Sequence, residues 1–302
     1  MKLLLTGAFK CTDEQTEYIK SLGHEIVFVQ DEREKIDFDV SDIEGVICNG
    51  LFVYNSIEQF KSLKYIQLTS AGLDRVPLDY INEHGIEIYN ARGVYSIPMA
   101  EFAVSGILQL IKDSRFFYEN QKESVWEKSR TLGELAGKTA LIVGAGNIGS
   151  EVAKRLKAFD LTVTGIDISN ENRLYFDKVE PLDNLDERLR ESDIVVLTIP
   201  LTNSTKGLFN KSKFDLMKSN TIFVNIARGQ LVVESDLIWA LEQNKIAGAV
   251  LDVFDKEPLE KDSPLWKMNN VILTPHNSFV GENNNTRMFE LVISNLERFC
   301  NE

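Results

Sequence analysis

The sequence predicts an α/β protein built from two doubly wound parallel sheets. Short apolar runs rich in Ile, Leu and Val alternate with polar stretches of helical character along most of the 302 residues. Strands separated by helices are typical of parallel sheets that are covered on both faces. The alternation restarts near residue 139 with new strands, and the chain length favours two domains, each with its own core.

The first series of alternating segments supplies five candidate strands, at residues 2–6, 25–29, 45–48, 65–69 and 86–89. Helices are expected between them at 12–22 and 78–84. A longer helix is expected after Pro98, because five apolar residues recur at helical spacing. These are Phe102, Ile107, Leu108, Ile111 and Phe116. A polar segment, 118–138, follows.

The second series supplies six candidate strands, at residues 140–143, 162–166, 194–198, 221–225, 247–251 and 271–273. Helices are expected at 148–159, 184–190 and 234–243. The last segment, 282–300, is expected to be one more amphipathic helix.

Composition excludes several classes of protein. The net charge of −13 disfavours nucleic-acid binding, which needs a basic face. The apolar start Met-Lys-Leu-Leu-Leu ends at Thr6, too early for a signal peptide or a membrane span, so a buried first strand is expected. Cys11, Cys48 and Cys300 are far apart and form no CxxC pair, so neither a disulfide framework nor a metal site is expected. We therefore expect a cytoplasmic protein without nucleic-acid or membrane partners.

A glycine-rich turn, Gly-Ala-Gly-Asn-Ile-Gly at 144–149, lies between a candidate strand and a candidate helix. Gly144 permits the tight turn, Gly146 lets the backbone approach a pyrophosphate, and Gly149 lets the helix lie close to the strand. The helix start offers N–H groups to the anion. Glycines, strand and helix together form the Rossmann fingerprint for dinucleotides. They disfavour the alternative of a turn that only connects two elements.

Asp167 ends the next strand, where the fingerprint expects an acidic residue. A carboxylate there accepts hydrogen bonds from ribose hydroxyls and repels a 2′-phosphate. No Arg or Lys follows it directly, since the next residues are Ile168, Ser169 and Asn170. The sequence therefore predicts NAD rather than NADP as the cofactor.

Three charged or titratable residues follow neighbouring candidate strands of the second series. Arg228 follows 221–225, Glu257 follows a strand ending near residue 253, and His276 follows 271–273. Ligands of open α/β sheets bind at the carboxyl ends of the strands, so these side chains are expected to cluster there. The other histidines, His24 and His84, are expected at helix or loop ends.

Such a trio suits the reduction of a small 2-oxo acid. A histidine supplies the proton, a carboxylate holds the imidazole and stabilises its charged form, and an arginine grips the substrate carboxylate. Each residue alone would be interpreted as a surface salt bridge or a cap, but three placements at strand ends favour chemistry.

These motifs resemble the D-isomer-specific 2-hydroxyacid dehydrogenase family, which includes phosphoglycerate dehydrogenase-like enzymes. The matching segments are 134–138, 144–149, 200–205, 225–229, 251–258 and 274–276. The resemblance implies a Rossmann NAD-binding domain at 99–278 inserted into a flavodoxin-like substrate domain at 1–98 plus 279–302. It also implies a homodimer built on the long helix after Pro98 and the segment that follows.

The resemblance also implies residue roles. Arg228, Glu257 and His276 would be catalytic, with Arg228 binding the substrate carboxylate. Asp252 would contact the nicotinamide carboxamide. The loop Ser70, Ala71 and Gly72 would bind substrate near Asn90. The implied cofactor contacts are Gly144, Gly146, Asn147, Ile148, Gly149, Asp167, Pro200, Thr205, Ala227, Arg228 and Asp252.

The sequence departs from the family pattern at 277–282 and at Arg92, so the substrate stays open. Members of the family act on phosphoglycerate, lactate, glycerate, branched oxo acids, formate or phosphite, and Glu257 disfavours the formate branch. Two other functions remain open. One is an NAD(H)-sensing binding protein that resembles a corepressor, and the other is a Rossmann enzyme in which the trio is scattered.

Overall fold

A computed structural model describes residues 1–169, 171 and 173–301. Asn170 and Glu302, which enter the predicted cofactor loop and the predicted first domain, lie outside the described residues. The chain forms two compact units, Met1–Tyr95 with Gly281–Glu302, and Ser96–Val280. The predicted boundaries after residues 98 and 278, and the assignment of substrate to the first domain, stay predictions.

The first unit contains one five-stranded sheet. Its strands are β1 (Lys2–Thr6), β2 (Glu25–Val29), β3 (Gly45–Cys48), β4 (Tyr65–Leu68) and β5 (Glu87–Tyr89). The helices between them are α1 (Asp13–Ser21), α2 (Leu51–Tyr54) and α3 (Leu78–Glu83). All neighbouring strands are parallel, in the order β2-β1-β3-β4-β5, which is the flavodoxin-like order.

The second unit contains a seven-stranded sheet. Its strands are β6 (Thr139–Val143), β7 (Thr162–Ile166), β8 (Lys178–Glu180), β9 (Ile194–Leu197), β10 (Ile222–Asn225), β11 (Gly248–Leu251) and β12 (Val271–Leu273). Its helices are α4 (Ser96–Ile111), α5 (Ser114–Lys122), α6 (Asn147–Lys157), α7 (Leu185–Glu191), α8 (Lys211–Leu216) and α9 (Glu234–Glu242). The chain then returns to the first unit with α10 (Asn284–Asn301).

The strand order of the second sheet is β12-β11-β10-β9-β6-β7-β8, and every neighbouring pair is parallel. The order reverses between β6 and β9. This topological switch point is where doubly wound sheets leave a crevice for a ligand, at the carboxyl ends of their strands. The glycine-rich turn follows β6 directly.

Both faces of each sheet are apolar, as buried parallel strands require. In β6, Leu141 and Val143 pack into one core, and Ala140 and Ile142 pack into the opposite one. In the first unit, α10 covers one face of the sheet with three buried side chains. These are Met288, Val292 and Leu296. This architecture of two parallel α/β sheets confirms the predicted fold class.

The observed elements differ from prediction in two informative places. The expected long helix is two helices, because Asp113 adopts a left-handed conformation with φ 47° and ends the run of α4. Aspartate is among the few non-glycine residues that tolerate this conformation. Strand β8 was missed because Lys178–Glu180 contains no apolar run. None of the helices in the described part of the chain combines the length and apolar composition that a bilayer crossing requires.

Candidate active site

The loops after β10, β11 and β12 place the predicted trio at one edge of the second sheet. Arg228 lies three residues beyond β10, Glu257 follows β11 and His276 follows β12. Because these three strands are parallel neighbours, their carboxyl ends meet at the same edge. All three side chains belong to exposed residues.

His276 and Glu257 form a direct hydrogen-bonded pair. The Nδ1 atom of His276 lies 2.8 Å from Oε2 of Glu257, and the other carboxylate oxygen accepts from the backbone N–H of Phe254 at 3.1 Å. The backbone of its own loop thus orients the Glu257 carboxylate towards the imidazole. The bond engages Nδ1, which leaves Nε2 on the far side of the ring from Glu257. The side chains are 42% and 37% exposed, so a small molecule can reach the pair.

Asp252 holds the histidine loop in place. It is fully buried, and its carboxylate accepts hydrogen bonds from the Thr274 hydroxyl at 2.7 Å and from the N–H groups of Asn277 and Ser278 at 2.7 and 2.9 Å. Its carbonyl accepts from the N–H of His276 at 2.7 Å. Asp252 therefore fixes both sides of His276. The predicted contact of Asp252 with nicotinamide stays a prediction.

The conformation of His276 shows why the loop needs this support. Its φ is 51°, in the left-handed region that residues with a Cβ rarely adopt. Such a conformation costs of order 1 kcal/mol or more and persists where the surroundings over-determine it. The hydrogen bonds to Asp252 hold the His276 backbone in this conformation.

Arg228 lies beside a second buried polar anchor, Asn225. The Asn225 side chain donates to the Arg228 carbonyl at 3.0 Å and accepts from the Ala227 N–H at 3.1 Å, so it closes the turn after β10. The Arg228 guanidinium donates to the Ala227 carbonyl at 2.8 Å. Sequence reasoning missed Asn225 as a supporting residue. The available signal was a polar residue at the end of an otherwise apolar strand.

The glycine-rich turn has the shape that a pyrophosphate requires. Gly144 has φ 107°, and a Cβ on Gly149 would lie 2.0 Å from the Gly144 carbonyl oxygen, so helix and turn are in close contact. A Cβ on Gly146 would meet no atom of the described residues within 4 Å, so this glycine faces open space among them. Helix α6 begins at Asn147, and Gly146 gives it no side-chain cap. Its first N–H groups therefore remain suited to an anion, and the residues present fit a dinucleotide.

Asp167 lies against this turn, but it is not isolated from positive charge. Its Oδ2 atom accepts from the Ala145 N–H at 2.8 Å, and its Oδ1 atom accepts from the Ser169 N–H at 3.3 Å. The Arg173 guanidinium lies 3.7 Å from Oδ1 and also donates to the Ala145 carbonyl. No Arg or Lys directly follows Asp167 in the sequence, but Arg173, six positions later, lies beside the carboxylate and was not predicted.

The remaining predicted cofactor residues lie in the same unit. Pro200 and Thr205 share the loop after β9, where the Thr205 hydroxyl donates to the Pro200 carbonyl at 2.8 Å. Thr198, at the start of that loop, donates to the Gly144 carbonyl at 2.6 Å and so joins it to the glycine-rich turn. Ala227 is buried beside Arg228, and Ile148 is half-buried in the first turn of α6.

The predicted substrate loop belongs to the first unit, at the carboxyl end of β4. The Ser70 hydroxyl donates to the Gly72 carbonyl at 3.0 Å, and the Asn90 side chain donates to the Ala71 carbonyl at 2.8 Å. The Arg92 N–H donates to the Asn90 side chain at 3.2 Å. The loops after β4 and β5 are therefore tied together, and their role in substrate binding stays a prediction.

Comparison with known proteins identifies the family. Residues 104–278 match the model for the NAD binding domain of D-isomer specific 2-hydroxyacid dehydrogenases. The chain belongs to this family, as its motifs predicted. The match also confirms the prediction that the chain carries an NAD-binding domain.

Relatives and solved structures agree with this assignment. The chain is 34% identical to a D-3-phosphoglycerate dehydrogenase of Archaeoglobus fulgidus over 91% of its own length and 53% of the relative. It is 34% identical to a glyoxylate reductase of Thermofilum pendens over 87% of its length and 80% of the relative. It superimposes with a TM-score of 0.83 at 30% identity on a family member from Aeromonas salmonicida, covering 99% and 95% of the two chains. The chain thus spans about half the length of the phosphoglycerate dehydrogenase it matches.

Proposed function

We propose that the chain is an NAD-dependent D-2-hydroxyacid dehydrogenase that works as a 2-oxo acid reductase. The observation that carries this proposal is the hydrogen bond between His276 and Glu257. It supports a role for His276 as proton donor at the edge of the same sheet that carries the glycine-rich turn. Bound NADH supplies the hydride that the substrate's carbonyl carbon receives.

His276 acts as the general acid in this proposal. As the carbonyl carbon is reduced, negative charge develops on its oxygen, and the imidazolium donates a proton from Nε2. Glu257 stabilises the imidazolium from the Nδ1 side and fixes the orientation of the ring. In the oxidative direction the neutral imidazole accepts the proton of the hydroxyl group. Asp252 is a positioning residue, since it holds the loop that carries His276.

Arg228 binds the substrate carboxylate in this proposal. Its guanidinium offers parallel N–H donors that match a carboxylate, and its positive charge favours the developing oxyanion. Arg228 follows the strand next to the one that precedes Glu257, which supports a shared site for the three residues.

Asp167 sets a preference for NADH over NADPH, because its carboxylate accepts from ribose hydroxyls and repels a 2′-phosphate. The proposed substrate is a small 2-oxo acid. The names of the relatives, a glyoxylate reductase and a phosphoglycerate dehydrogenase, support that class. We further propose a cytoplasmic homodimer that uses α4 and the segment after it, as the family resemblance implies.

The test is NADH oxidation by the purified chain with a panel of 2-oxo acids. The panel contains glyoxylate, pyruvate, hydroxypyruvate, 3-phosphohydroxypyruvate and a branched oxo acid. Turnover with at least one member, lost in His276→Ala, is the expected result. Tight NADH binding without turnover of any member would instead support the NAD(H)-sensing function.

A further inference from the structure

Arg173 lies beside the glycine-rich turn, and the proposed mechanism gives this cation no role. Its guanidinium contacts two groups of that turn, the Asp167 carboxylate at 3.7 Å and the Ala145 carbonyl. The Arg173 and Asp167 side chains are 28% and 16% exposed, so the pair is partly shielded from water. Arg173 therefore has a defined place beside the acidic residue that selects the cofactor.

The electrostatic consequence concerns the 2′ position of the adenosine ribose. In NADH this position is a hydroxyl, which donates to a carboxylate such as Asp167. In NADPH it is a phosphate, which an unpaired carboxylate would repel. A guanidinium next to the carboxylate offsets that repulsion and offers planar N–H donors to the phosphate oxygens. The same cation contributes little to a neutral hydroxyl.

We propose that Arg173 is a cofactor-specificity residue that lets this chain bind NADPH as well as NADH. Asp167 makes NADH bind more tightly than NADPH, and Arg173 reduces the difference between the two affinities. This inference rests on the proposed function only in its choice of cofactor. It is tested by nucleotide binding, which needs neither a substrate nor turnover.

The experiment measures the dissociation constants of NADH and NADPH for the full chain by nicotinamide fluorescence. The variants are Arg173→Ala, Arg173→Lys and Arg190→Ala. Arg190 is an exposed cation of α7 whose guanidinium donates to the Asp186 carbonyl in its own helix. It is the matched control, because Arg190→Ala changes the net charge equally and leaves the turn intact. Circular dichroism verifies that each variant is folded.

We expect Arg173→Ala to raise the ratio of the NADPH to the NADH dissociation constant about fivefold or more, the worth of roughly one partly exposed charge-assisted contact. The NADH constant should change less than about threefold. For Arg173→Lys, the ratio should lie between the values of wild type and Arg173→Ala, because lysine keeps the charge but loses the planar donors. Arg190→Ala should leave the ratio unchanged.

Three outcomes would overturn the inference. The ratio stays constant in Arg173→Ala, it moves equally in Arg190→Ala, or both constants rise in parallel, which would make Arg173 a structural support for the turn. If the wild-type chain binds neither nucleotide, the proposed function fails together with the inference. If it binds both and the ratio ignores Arg173, only the inference fails.

A double variant separates the two effects of the cation. In Asp167→Ala, NADPH binding should improve relative to NADH, because the repulsive carboxylate is gone. Adding Arg173→Ala to that variant should again weaken NADPH. Such a loss shows that the guanidinium attracts the phosphate directly rather than only neutralising Asp167.

Discussion

Arg228 is the residue for which the proposed function expects a large effect on substrate binding and a small one on cofactor binding. Its guanidinium is exposed at the strand edge and donates one hydrogen bond, to the Ala227 carbonyl. Truncation therefore removes the exposed guanidinium and one hydrogen bond to the Ala227 carbonyl. The turn itself stays closed, because Asn225 bonds to the backbone of residues 227 and 228.

We predict that Arg228→Ala weakens use of the 2-oxo acid by at least about 2 kcal/mol in kcat/KM, the cost of a lost charge-assisted pair. The NADH dissociation constant should change much less. Steady-state kinetics and NADH fluorescence titration measure the two quantities. An Arg228→Ala enzyme with wild-type kcat/KM for the oxo acid would make this arginine structural and place the carboxylate site elsewhere.

The turn between β6 and α6 is the element whose glycines have separable tasks. Gly149 permits the close approach of helix to turn, since its Cβ would lie 2.0 Å from a carbonyl oxygen. Gly146 has φ −75° and ψ −160°, which alanine also adopts, and its Cβ would enter open space. One glycine therefore supports the fold, and the other keeps the face of the turn open.

We predict opposite consequences for the two alanine variants. Gly149→Ala should lower the free energy of unfolding by about 2 kcal/mol or more, because overpacking displaces the backbone. Gly146→Ala should keep its stability within about 1 kcal/mol of wild type and raise the NADH dissociation constant at least about tenfold, because a methyl group obstructs the anion. Chemical denaturation and fluorescence titration provide the comparison. Normal NADH binding by Gly146→Ala would remove the turn from the cofactor site.

The loop after β12 shows what element-level prediction from sequence lacks. The position of His276 at the end of a strand followed from the alternation of apolar and polar segments. The sequence did not predict the left-handed backbone at His276. It also did not predict the three hydrogen bonds that the Asp252 carboxylate accepts, because their donors lie 22 to 26 positions away along the chain. Local sequence does not encode such a pairing. Arg173 was overlooked although it lies only six positions after Asp167, because the motif considers only the residues that follow the acidic residue directly.

In the second unit, the carboxyl ends and the amino ends of the parallel strands have different roles. The carboxyl edge carries the candidate active site. At the amino edge, Asp193 accepts hydrogen bonds from the backbone and hydroxyl of Thr139, each at 3.0 Å. Lys218 and Asn220 donate to its other oxygen at 3.0 and 3.1 Å. Burial by itself raises the pKa of Asp193, but these donors outweigh it and hold the pKa at about 2.

We predict a pH-dependent loss of stability in Asp193→Ala. Because the folded carboxyl has a pKa of about 2 against 3.8 for the unperturbed group, its stabilisation is present above 3.8 and disappears as the pH falls towards 2. At neutral pH the variant should lose roughly 2 kcal/mol of unfolding free energy. Denaturation at several pH values measures this, with the exposed Asp262→Ala as control. A deficit that persists unchanged at the lowest pH would assign it to packing instead.

For the molecule as a whole, the alternation of apolar and polar segments predicted the fold class, because buried parallel strands are continuous apolar runs that end at glycine or polar residues. The same strand ends located Arg228, Glu257 and His276. The sequence could not predict the break at Asp113 or strand β8, where helical spacing continues or apolar residues are few. Apolar patterning records which faces are buried, and it carries little information about where a buried face is interrupted.

The central claim is that His276 and Glu257 act as a catalytic pair, in which His276 donates the proton and Glu257 holds the imidazole in place. The direct measurement is kcat for 2-oxo acid reduction by wild type and by Glu257→Gln, which removes the charge but preserves the shape of the side chain. Without the carboxylate 2.8 Å from Nδ1, the ring loses its charged partner, so kcat should fall at least about tenfold while the NADH dissociation constant changes less than about threefold. His276→Ala, as reference, should lose about two to four orders of magnitude in turnover and still bind NADH. A wild-type kcat in Glu257→Gln would contradict a catalytic role for the pair.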